Sequence, residues 1–178
     1  MEVVNAVYKA RLKKHKLDLH HLSSLIPNSV LRIGRPTQLS VEINKVKIFL
    51  FCGRGVRVMG KGDLLTTDCL SNELMAYGHM LAVLEHFTEE MPALELQTMT
   101  VTAQVENWQK TNFTRFIQEC GFKTYHDFEI FSALRITQFN PVCVNLFSSG
   151  KLVMCGVKSI EQAEEIQLTI NTCYNTIE

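Results

Sequence analysis

The alternation of hydrophobic and polar positions along the 178-residue chain predicts two similar halves. In each half, an apolar β-prone run, a turn that contains glycine and a second β-prone run that ends at glycine predict a β-hairpin. The hairpins lie at residues 47–60 and 143–156, and Phe51 matches Phe147 at a separation of 96 residues. A repeat with this period indicates a duplicated structural unit.

Each hairpin is expected to be followed by a long amphipathic helix. After the first hairpin, Thr66 or Thr67 can cap a helix whose apolar residues recur at alternating spacings of four and three. Those residues are Leu70, Leu74, Tyr77, Leu81 and Leu84. After the second hairpin, Ser159 and Gln162 form a capping-box signature. The buried stripe of that helix is predicted to be Ile160, Ala163, Ile166 and Ile170.

Shorter elements precede the hairpins in the same order in both halves. Strands are predicted at residues 3–7 and 96–101, short helices at 17–25 and 112–119, and further strands at 38–43 and 131–136. Gly121 supplies the stop of the second short helix. Because so small a half cannot bury both faces of its strands, the halves should pair edge to edge into one antiparallel sheet. The long helices cover one face, and the other face stays open, which is typical of a binding surface.

The composition indicates a packed globular protein without a strong overall charge. The chain is 46% hydrophobic, with four Pro and nine Gly, and its formal net charge is zero. A neutral chain argues against a strongly basic nucleic-acid binder. Residues 1–90 nevertheless hold 12 Lys/Arg and 9 Asp/Glu, whereas residues 91–178 hold 6 and 9. The basic run at residues 9–16 is, from charge patterning alone, a solvated strand end or turn.

Candidate chemistry is sparse. Six cysteines without a C-x-x-C pair indicate reduced structural thiols in the cytosol or nucleus. The sequence contains no run of 18 or more apolar residues, so neither a membrane span nor a membrane partner is expected. Asp18 with His20 and His21, and His79 with His86, lack the ligand count of a metal site. Without a nucleophile elbow, a Walker-type loop or paired carboxylates, neither an enzyme nor a cofactor is expected.

The second hairpin and the residues after it carry a recognisable motif, because residues 145–159 read NLFSSGKLVMCGVKS. This segment resembles the signature of the TATA-binding protein (TBP) family, a Leu/Ile-Phe-Ser-Ser-Gly-Lys hairpin followed by Gly-Ala-Lys-Ser. Residues 4–7 and 16–19 are similar to the opening of the family's first repeat. The resemblance implies an α+β saddle of two pseudo-symmetric repeats, residues 1–90 and 91–178. In that fold the repeats form one curved antiparallel sheet with helices on the convex face.

The family resemblance also implies a function in transcription initiation. The concave face would bind double-stranded A·T-rich promoter DNA in the minor groove, and a B-type general transcription factor would help recruit RNA polymerase. Partner contacts would come from Phe128 and Glu129, and the protein would act in the nucleus or at a site of viral transcription. Matching positions give these DNA-binding candidates: Asn5, Val7, Phe49, Phe51, Arg57, Met59, Thr98, Thr100, Phe131, Asn145, Phe147, Ser149, Lys151, Val153 and Cys155.

The chain departs from the family pattern at several of these positions. Residues 31–36 contain no aromatic residue where the family carries a second phenylalanine wedge in the first repeat. In the second repeat, Phe131 or Ile130 stands near the corresponding place. Arg57 and Met59 replace a groove-facing valine and threonine. An arginine can enter a narrow A·T minor groove favourably, or it can mark a surface that no longer meets DNA.

Two functional hypotheses follow. In the first, the chain is a divergent promoter-binding initiation factor, such as one from a virus or a protist. In the second, it is a protein-interaction subunit of a transcription complex with weak or no DNA binding of its own. The sequence leaves open whether the protein is a monomer, a homodimer or a heteromer with another transcription factor. Without the family resemblance, Phe51 and Phe147 would be interpreted as ordinary sheet core, since alternating aromatic residues usually are. An open face that is apolar and ringed by Lys and Arg would favour the first hypothesis.

Overall fold

The computed structural model describes residues 1–11, 17–43, 46–52, 55–61, 95–127, 129 and 131–177. The chain divides into two compact units. Unit 1 consists of Met1–Val4 and Thr98–Glu178, and unit 2 consists of Asn5–Gln97. The predicted boundary between residues 90 and 91 and the predicted helix after the first hairpin both lie outside the described residues.

The described strands form one ten-stranded antiparallel sheet, with the hydrogen-bonded order β2-β3-β4-β5-β1-β6-β10-β9-β8-β7. The strands are β1 (Glu2–Arg11), β2 (Val30–Arg32), β3 (Gln38–Ile43), β4 (Val46–Phe51), β5 (Gly55–Lys61), β6 (Glu95–Gln104), β7 (Thr124–Tyr125), β8 (Ala133–Ile136), β9 (Cys143–Phe147) and β10 (Lys151–Val157). The described α-helices are α1 (Leu19–Leu25), α2 (Phe113–Glu119) and α3 (Ile160–Asn175), and a 3-10 turn, Lys110–Asn112, precedes α2. The predicted α+β class and single antiparallel sheet are confirmed.

The core of unit 1 lies between its strands and α3. The helix contacts β10, in which Leu152 and Met154 are fully buried. The predicted buried stripe of α3 is confirmed at three of its four positions, because Ala163, Ile166 and Ile170 are buried, whereas Ile160 is half-buried. Side chains of alternate strand residues therefore point toward the helix, and the residues between them point to the other face of the sheet.

The core of unit 2 follows the same alternation. Ile48 pairs with Val58 and Leu50 pairs with Val56 across β4 and β5, and all four side chains are buried. The short helix α1 contacts β2 and β3, and its residue Leu19 is buried. This arrangement leaves the intervening strand positions of unit 2 on the opposite face.

The helix boundaries show which local signals decide them. The first short helix begins at Leu19 rather than residue 17, because Asp18 is its N-cap and accepts hydrogen bonds from two backbone N–H groups. Ser159 caps α3 as predicted, and its Oγ accepts a hydrogen bond from the Gln162 N–H at 3.2 Å. The Gln162 side chain accepts in turn from the Lys158 N–H at 2.8 Å. Gly121 has a φ of 65° and follows α2, as expected for its stop.

The predicted strand at residues 131–136 is too long at its start. The strand begins at Ala133, because the Phe131 N–H donates a hydrogen bond to the Asp127 carbonyl at 2.8 Å and closes a turn. Phe131 therefore lies before β8 and not within it.

Candidate nucleic-acid interface

The strands of unit 1 have one partly exposed face, opposite the side chains that contact α3. Across this face Val153 is registered with both Asn145 and Thr102, and Cys155 is registered with Cys143. These positions alternate with the buried residues of the same strands. We define the open face of unit 1 as Thr98, Thr100, Thr102, Arg135, Cys143, Asn145, Phe147, Lys151, Val153 and Cys155. It gathers the second-repeat candidates of the sequence analysis except Phe131 and Ser149.

The β6, β9 and β10 residues of this face other than Lys151, which we call its centre, are uncharged and carry hydroxyl and amide groups among apolar ones. The Thr98 hydroxyl oxygen is buried and has no hydrogen-bond partner among the described residues. Asn145 is 8% exposed, and its Oδ1 lies 3.9 Å from the Cys143 thiol. A buried polar atom without a partner costs free energy unless a ligand or water supplies the hydrogen bond. This strip of the face is therefore suited to a ligand that carries hydrogen-bond acceptors.

The turn between β9 and β10 presents Ser149 and Lys151 at the rim of the face. Two long side chains hold it, because Gln104 Nε2 donates to the Ser149 carbonyl at 2.8 Å and Trp108 Nε1 donates to the Ser148 carbonyl at 3.0 Å. Gly150 has a φ of 81°, and a Cβ there would overlap Trp108 Cγ. Only glycine fits this turn, because it permits the left-handed conformation and leaves space for the indole.

Phe131 and Phe147 form an aromatic pair at one end of the face. Their ring centroids are 5.9 Å apart at an interplanar angle of 68°, which is an edge-to-face contact. Phe131 is 44% exposed and Phe147 is half-buried. The structure thus brings these two predicted wedge residues together, while Ile130 lies outside the described residues.

The candidate partner contacts lie close to this aromatic pair along the chain. Glu129 is exposed in a turn, and Phe128 lies outside the described residues. A hollow of about 170 Å³ lies beside the turn, and Tyr125 at its edge is 59% exposed. Its lining residues are Tyr125, Asp127, Phe131, Ala133 and Arg135.

Unit 2 has its own partly exposed face, which we define as Asn5, Val7, Lys9, Gln38, Ser40, Lys47, Phe49, Phe51, Arg57 and Met59. Val7 is registered with Met59, and Phe49 is registered with Arg57. All the first-repeat candidates therefore lie on one face. Asn5, Val7, Phe49, Phe51 and Met59 are each half-buried, whereas Arg57 is exposed.

The cations of the unit 2 face already have partners within the unit. The Arg57 guanidinium carbon lies 5.7 Å from the centroid of the Phe51 ring, which is a cation–π contact. Lys9, registered opposite Arg57, forms an ion pair with Glu95 at 3.5 Å. Lys47 forms an ion pair with Glu42, also at 3.5 Å. The Phe51 ring is thus covered in part by a charged group.

Some residues near these faces carried no motif in the sequence. The stretch at residues 31–36 lacks an aromatic residue, yet Ile33 is 79% exposed there, and a Cβ at Gly34 would meet nothing within 4 Å. Arg135 was also not among the candidates predicted from the sequence, although it is registered opposite Asn145. Strand alternation could have identified Arg135, because it follows from the register of β8 and β9.

The acidic and histidine candidates have a local structural role where they are described. The backbone N–H of His21 and, to a lesser degree, that of His20 hold the pKa of the Asp18 carboxyl below its usual value. His79 and His86 lie outside the described residues. Within the described ranges, no group of three His, Cys, Asp or Glu residues could hold a metal ion. No helix in the described part of the chain is long and apolar enough to cross a membrane.

Comparison with known proteins identifies the fold. Neither a protein-family model nor a curated protein sequence matches the chain. Among solved structures, the TBP of Methanococcus jannaschii aligns with a TM-score of 0.75 over 98% of this chain and 98% of that chain, at 21% sequence identity. A likeness of this extent at this identity shows a common fold. The chain therefore has a TBP-like fold, as the resemblance of its second hairpin implies.

Proposed function

We propose that this protein is a transcription initiation factor that binds A·T-rich duplex DNA in the minor groove through the open faces of its sheet. The observation that carries the proposal is the uncharged centre of the unit 1 face, with its unpartnered Thr98 hydroxyl. The minor groove of A·T pairs presents only acceptors, the adenine N3 and thymine O2 atoms. Hydroxyl and amide donors set among apolar side chains are complementary to that surface.

The rim of the same face supports contact with the DNA backbone. Lys151 is exposed, and its turn is fixed by Gln104 and Trp108. An ammonium group on the residue that follows a fixed turn can neutralise a phosphate and set the register of the protein on the duplex. Ser149 is exposed beside it and offers a hydroxyl to the same strand.

Binding by the isolated protein is expected to be weak, so the proposal includes a partner. Bending a minor-groove site costs on the order of 1–6 kcal/mol, and unstacking adds roughly a few kcal/mol for each kinked base step. The chain has zero formal net charge and therefore gains little from general phosphate attraction. A B-type transcription factor that contacts the turn at Glu129 and Phe128 would stabilise the bent complex. The protein would then act in binding, not catalysis, in the nucleus or at a site of viral transcription.

The test is a titration of A·T-rich and G·C-rich duplexes at about 0.15 M salt. We expect micromolar affinity for the A·T-rich duplex, tighter binding with an added B-type factor, and loss of the A·T preference in the double variant Phe51→Ala with Phe147→Ala. Leu168→Ala is the matched control, because Leu168 is 66% exposed on α3. Circular dichroism checks that each variant is folded. A folded double variant that binds A·T-rich DNA like the parent contradicts the proposal.

A second candidate function is a protein-interaction subunit with little DNA binding. The Arg57 contact with the Phe51 ring favours it, because a phenylalanine beneath a guanidinium is not free to press on a base step. The same titration separates the two functions. A protein of the second kind shows no A·T preference, and Glu129→Arg weakens its binding to the partner without any effect on DNA.

A further inference from the structure

Two cysteines lie directly opposite each other on neighbouring strands of unit 1. Cys143 on β9 and Cys155 on β10 are registered as cross-strand partners, and both belong to the open face of unit 1. Both side chains are half-buried, so reagents from solvent can reach this part of the face. The sequence indicated only scattered single thiols, because the two residues are 12 positions apart and their pairing depends on the hairpin register.

The spacing of this pair suits a disulfide. Directly opposite residues in an antiparallel pair have Cα atoms roughly 4.5–5.5 Å apart, whichever hydrogen-bonding class they belong to. Disulfides bridge Cα atoms roughly 4.4–6.8 Å apart. The register of β10 against β6 also shifts between Cys155 and Val157. A bulge at this place disrupts the hydrogen-bond ladder locally and bends the strand beside Cys155.

We infer that Cys143 and Cys155 are a reversible modification site that closes to an intramolecular disulfide by exchange with an anionic low-molecular-weight disulfide such as oxidised glutathione. One thiol loses its proton, and its thiolate attacks a sulfur of the reagent, so that a mixed disulfide forms and one glutathione thiolate leaves. The second cysteine thiolate then attacks the protein sulfur and releases the other glutathione thiolate. The protein loses two electrons and two protons, and the reagent becomes two glutathione thiols.

The surroundings of Cys143 select the charge of the reagent. An open cavity of about 480 Å³ borders this cysteine, and its lining contains Lys123 and Arg135 but no acidic residue. Both of these cationic residues are exposed. A cationic concave surface concentrates anions near the thiol and speeds their encounter. The carboxylates of oxidised glutathione fit this charge.

The other cysteine pair of unit 1 gives an internal comparison. Cys173 donates a hydrogen bond through its thiol to the Cys120 carbonyl at 3.1 Å, and Cys120 is only 7% exposed. Burial, with a smaller contribution from Cys120, raises the pKa of the Cys173 thiol. Because the thiolate is the attacking species, this pair should exchange more slowly than the pair on the sheet face.

Peptide mapping of the full chain tests the disulfide. Trypsin separates the cysteines into different peptides, residues 136–151 for Cys143 and 152–158 for Cys155, so a disulfide joins them after complete cleavage at Lys151, and reduction distinguishes this species from the uncleaved peptide 136–158. After treatment with oxidised glutathione and alkylation of the remaining thiols, we expect the joined species in non-reduced digests and its loss after reduction. Cys143→Ser and Cys155→Ser should each leave a mixed disulfide on the remaining cysteine. Two alkylated peptides from the treated parent, or a persistent mixed disulfide without closure, overturn the inference.

The choice of reagent tests the charge argument. Lys123→Gln with Arg135→Gln should slow closure by oxidised glutathione several-fold and leave closure by cystamine, a cationic disulfide, unchanged or faster. Lys110→Gln is the matched control, since Lys110 is an exposed cation of the same unit that does not line the cavity. Equal slowing with both reagents would overturn the electrostatic part of the inference.

One consequence rests on the proposed function. If DNA occupies the open face of unit 1, an A·T-rich duplex at saturating concentration should slow disulfide closure, whereas a G·C-rich duplex should not. Closure at the same rate with and without A·T-rich DNA contradicts DNA binding at this face and leaves the dithiol site intact. The absence of closure under every condition overturns the dithiol site and leaves DNA binding to be decided by titration.

Discussion

The two open faces differ in how their cations are used. In unit 2, Lys9 and Lys47 each form an ion pair, and Arg57 lies over an aromatic ring. In unit 1, Lys151 and Arg135 have no acidic group within 4 Å among the described residues. Unit 1 therefore presents its charge to an incoming anion directly, whereas unit 2 must exchange internal contacts for external ones.

The two faces differ mainly in whether their cations can bind a phosphate at once, and less in how strongly their present contacts hold those cations. Exposed ion pairs contribute only about 0–1 kcal/mol, so a phosphate can replace Glu95 or Glu42 at small cost. A cation–π contact at an exposed site contributes roughly 0.5–1 kcal/mol, and its release also uncovers the ring beneath it. Movement of Arg57 would thus deliver a cation and free Phe51 at the same time. We expect unit 1 to make the first DNA contacts and unit 2 to follow.

The position of Lys151 on the unit 1 face depends on the tight turn that precedes it. Gly150→Ala should destabilise the protein by about 2–5 kcal/mol, because the left-handed conformation costs ~1–2 kcal/mol and the Cβ overlap with Trp108 adds ~1–3 kcal/mol. Urea unfolding followed by the fluorescence of Trp108, the single tryptophan, measures this change within unit 1.

Gly121→Ala is the matched control for the turn. Gly121 also has a positive φ, of 65°, but a Cβ there meets nothing within 4 Å. This variant should lose only the ~1–2 kcal/mol of the backbone conformation. Equal losses in the two glycine variants would show that the indole does not constrain the turn.

Salt dependence distinguishes the cations of the two faces. Lys151→Gln should reduce the slope of log affinity for A·T-rich DNA against log salt by about 0.9, the value for one lost phosphate contact. Arg57→Gln should reduce it less if the guanidinium stays on the Phe51 ring in the complex. Titrations at several salt concentrations measure both slopes. An unchanged slope in Lys151→Gln removes this lysine from the interface, and an equal reduction in both variants shows that Arg57 leaves the ring to contact phosphate.

The sequence predicted those parts of the fold that depend on local periodicity. The paired hairpins, the apolar stripe of α3 and the Ser159 cap follow from spacings of two, three and four residues. The start of β8 did not follow, because the Phe131 N–H is taken by the Asp127 carbonyl and not by a neighbouring strand. That choice depends on the conformation of a turn, which the apolar pattern does not encode.

The candidate site was predictable in its residues but not in its contacts. Alternation along β9 and β10 is enough to place Asn145, Phe147 and Val153 on one face. The hydrogen bond from Trp108 to the Ser148 carbonyl joins residues 40 positions apart, so only the folded chain could show it. The cation–π contact between Arg57 and Phe51 depends in the same way on the register of the strands.

The prediction with the smallest expected effect on stability concerns the helix caps of the two units. Asp18 caps α1 of unit 2 with a carboxylate, and Ser159 caps α3 of unit 1 with a hydroxyl. Because backbone N–H groups lower the pKa of Asp18 in the folded state, its stabilisation is present above the ordinary carboxyl pKa and is lost as the pH falls through the lowered value. Asp18→Asn keeps a capping side chain that does not titrate, so the loss of stability below about pH 4 should be smaller than in the parent. Ser159→Ala should lower stability by about 1 kcal/mol at every pH and leave the acid dependence unchanged. Urea midpoints from pH 7 down to acid values measure all three proteins, and an acid dependence in Asp18→Asn as steep as that of the parent would show that this carboxylate is not the group that titrates.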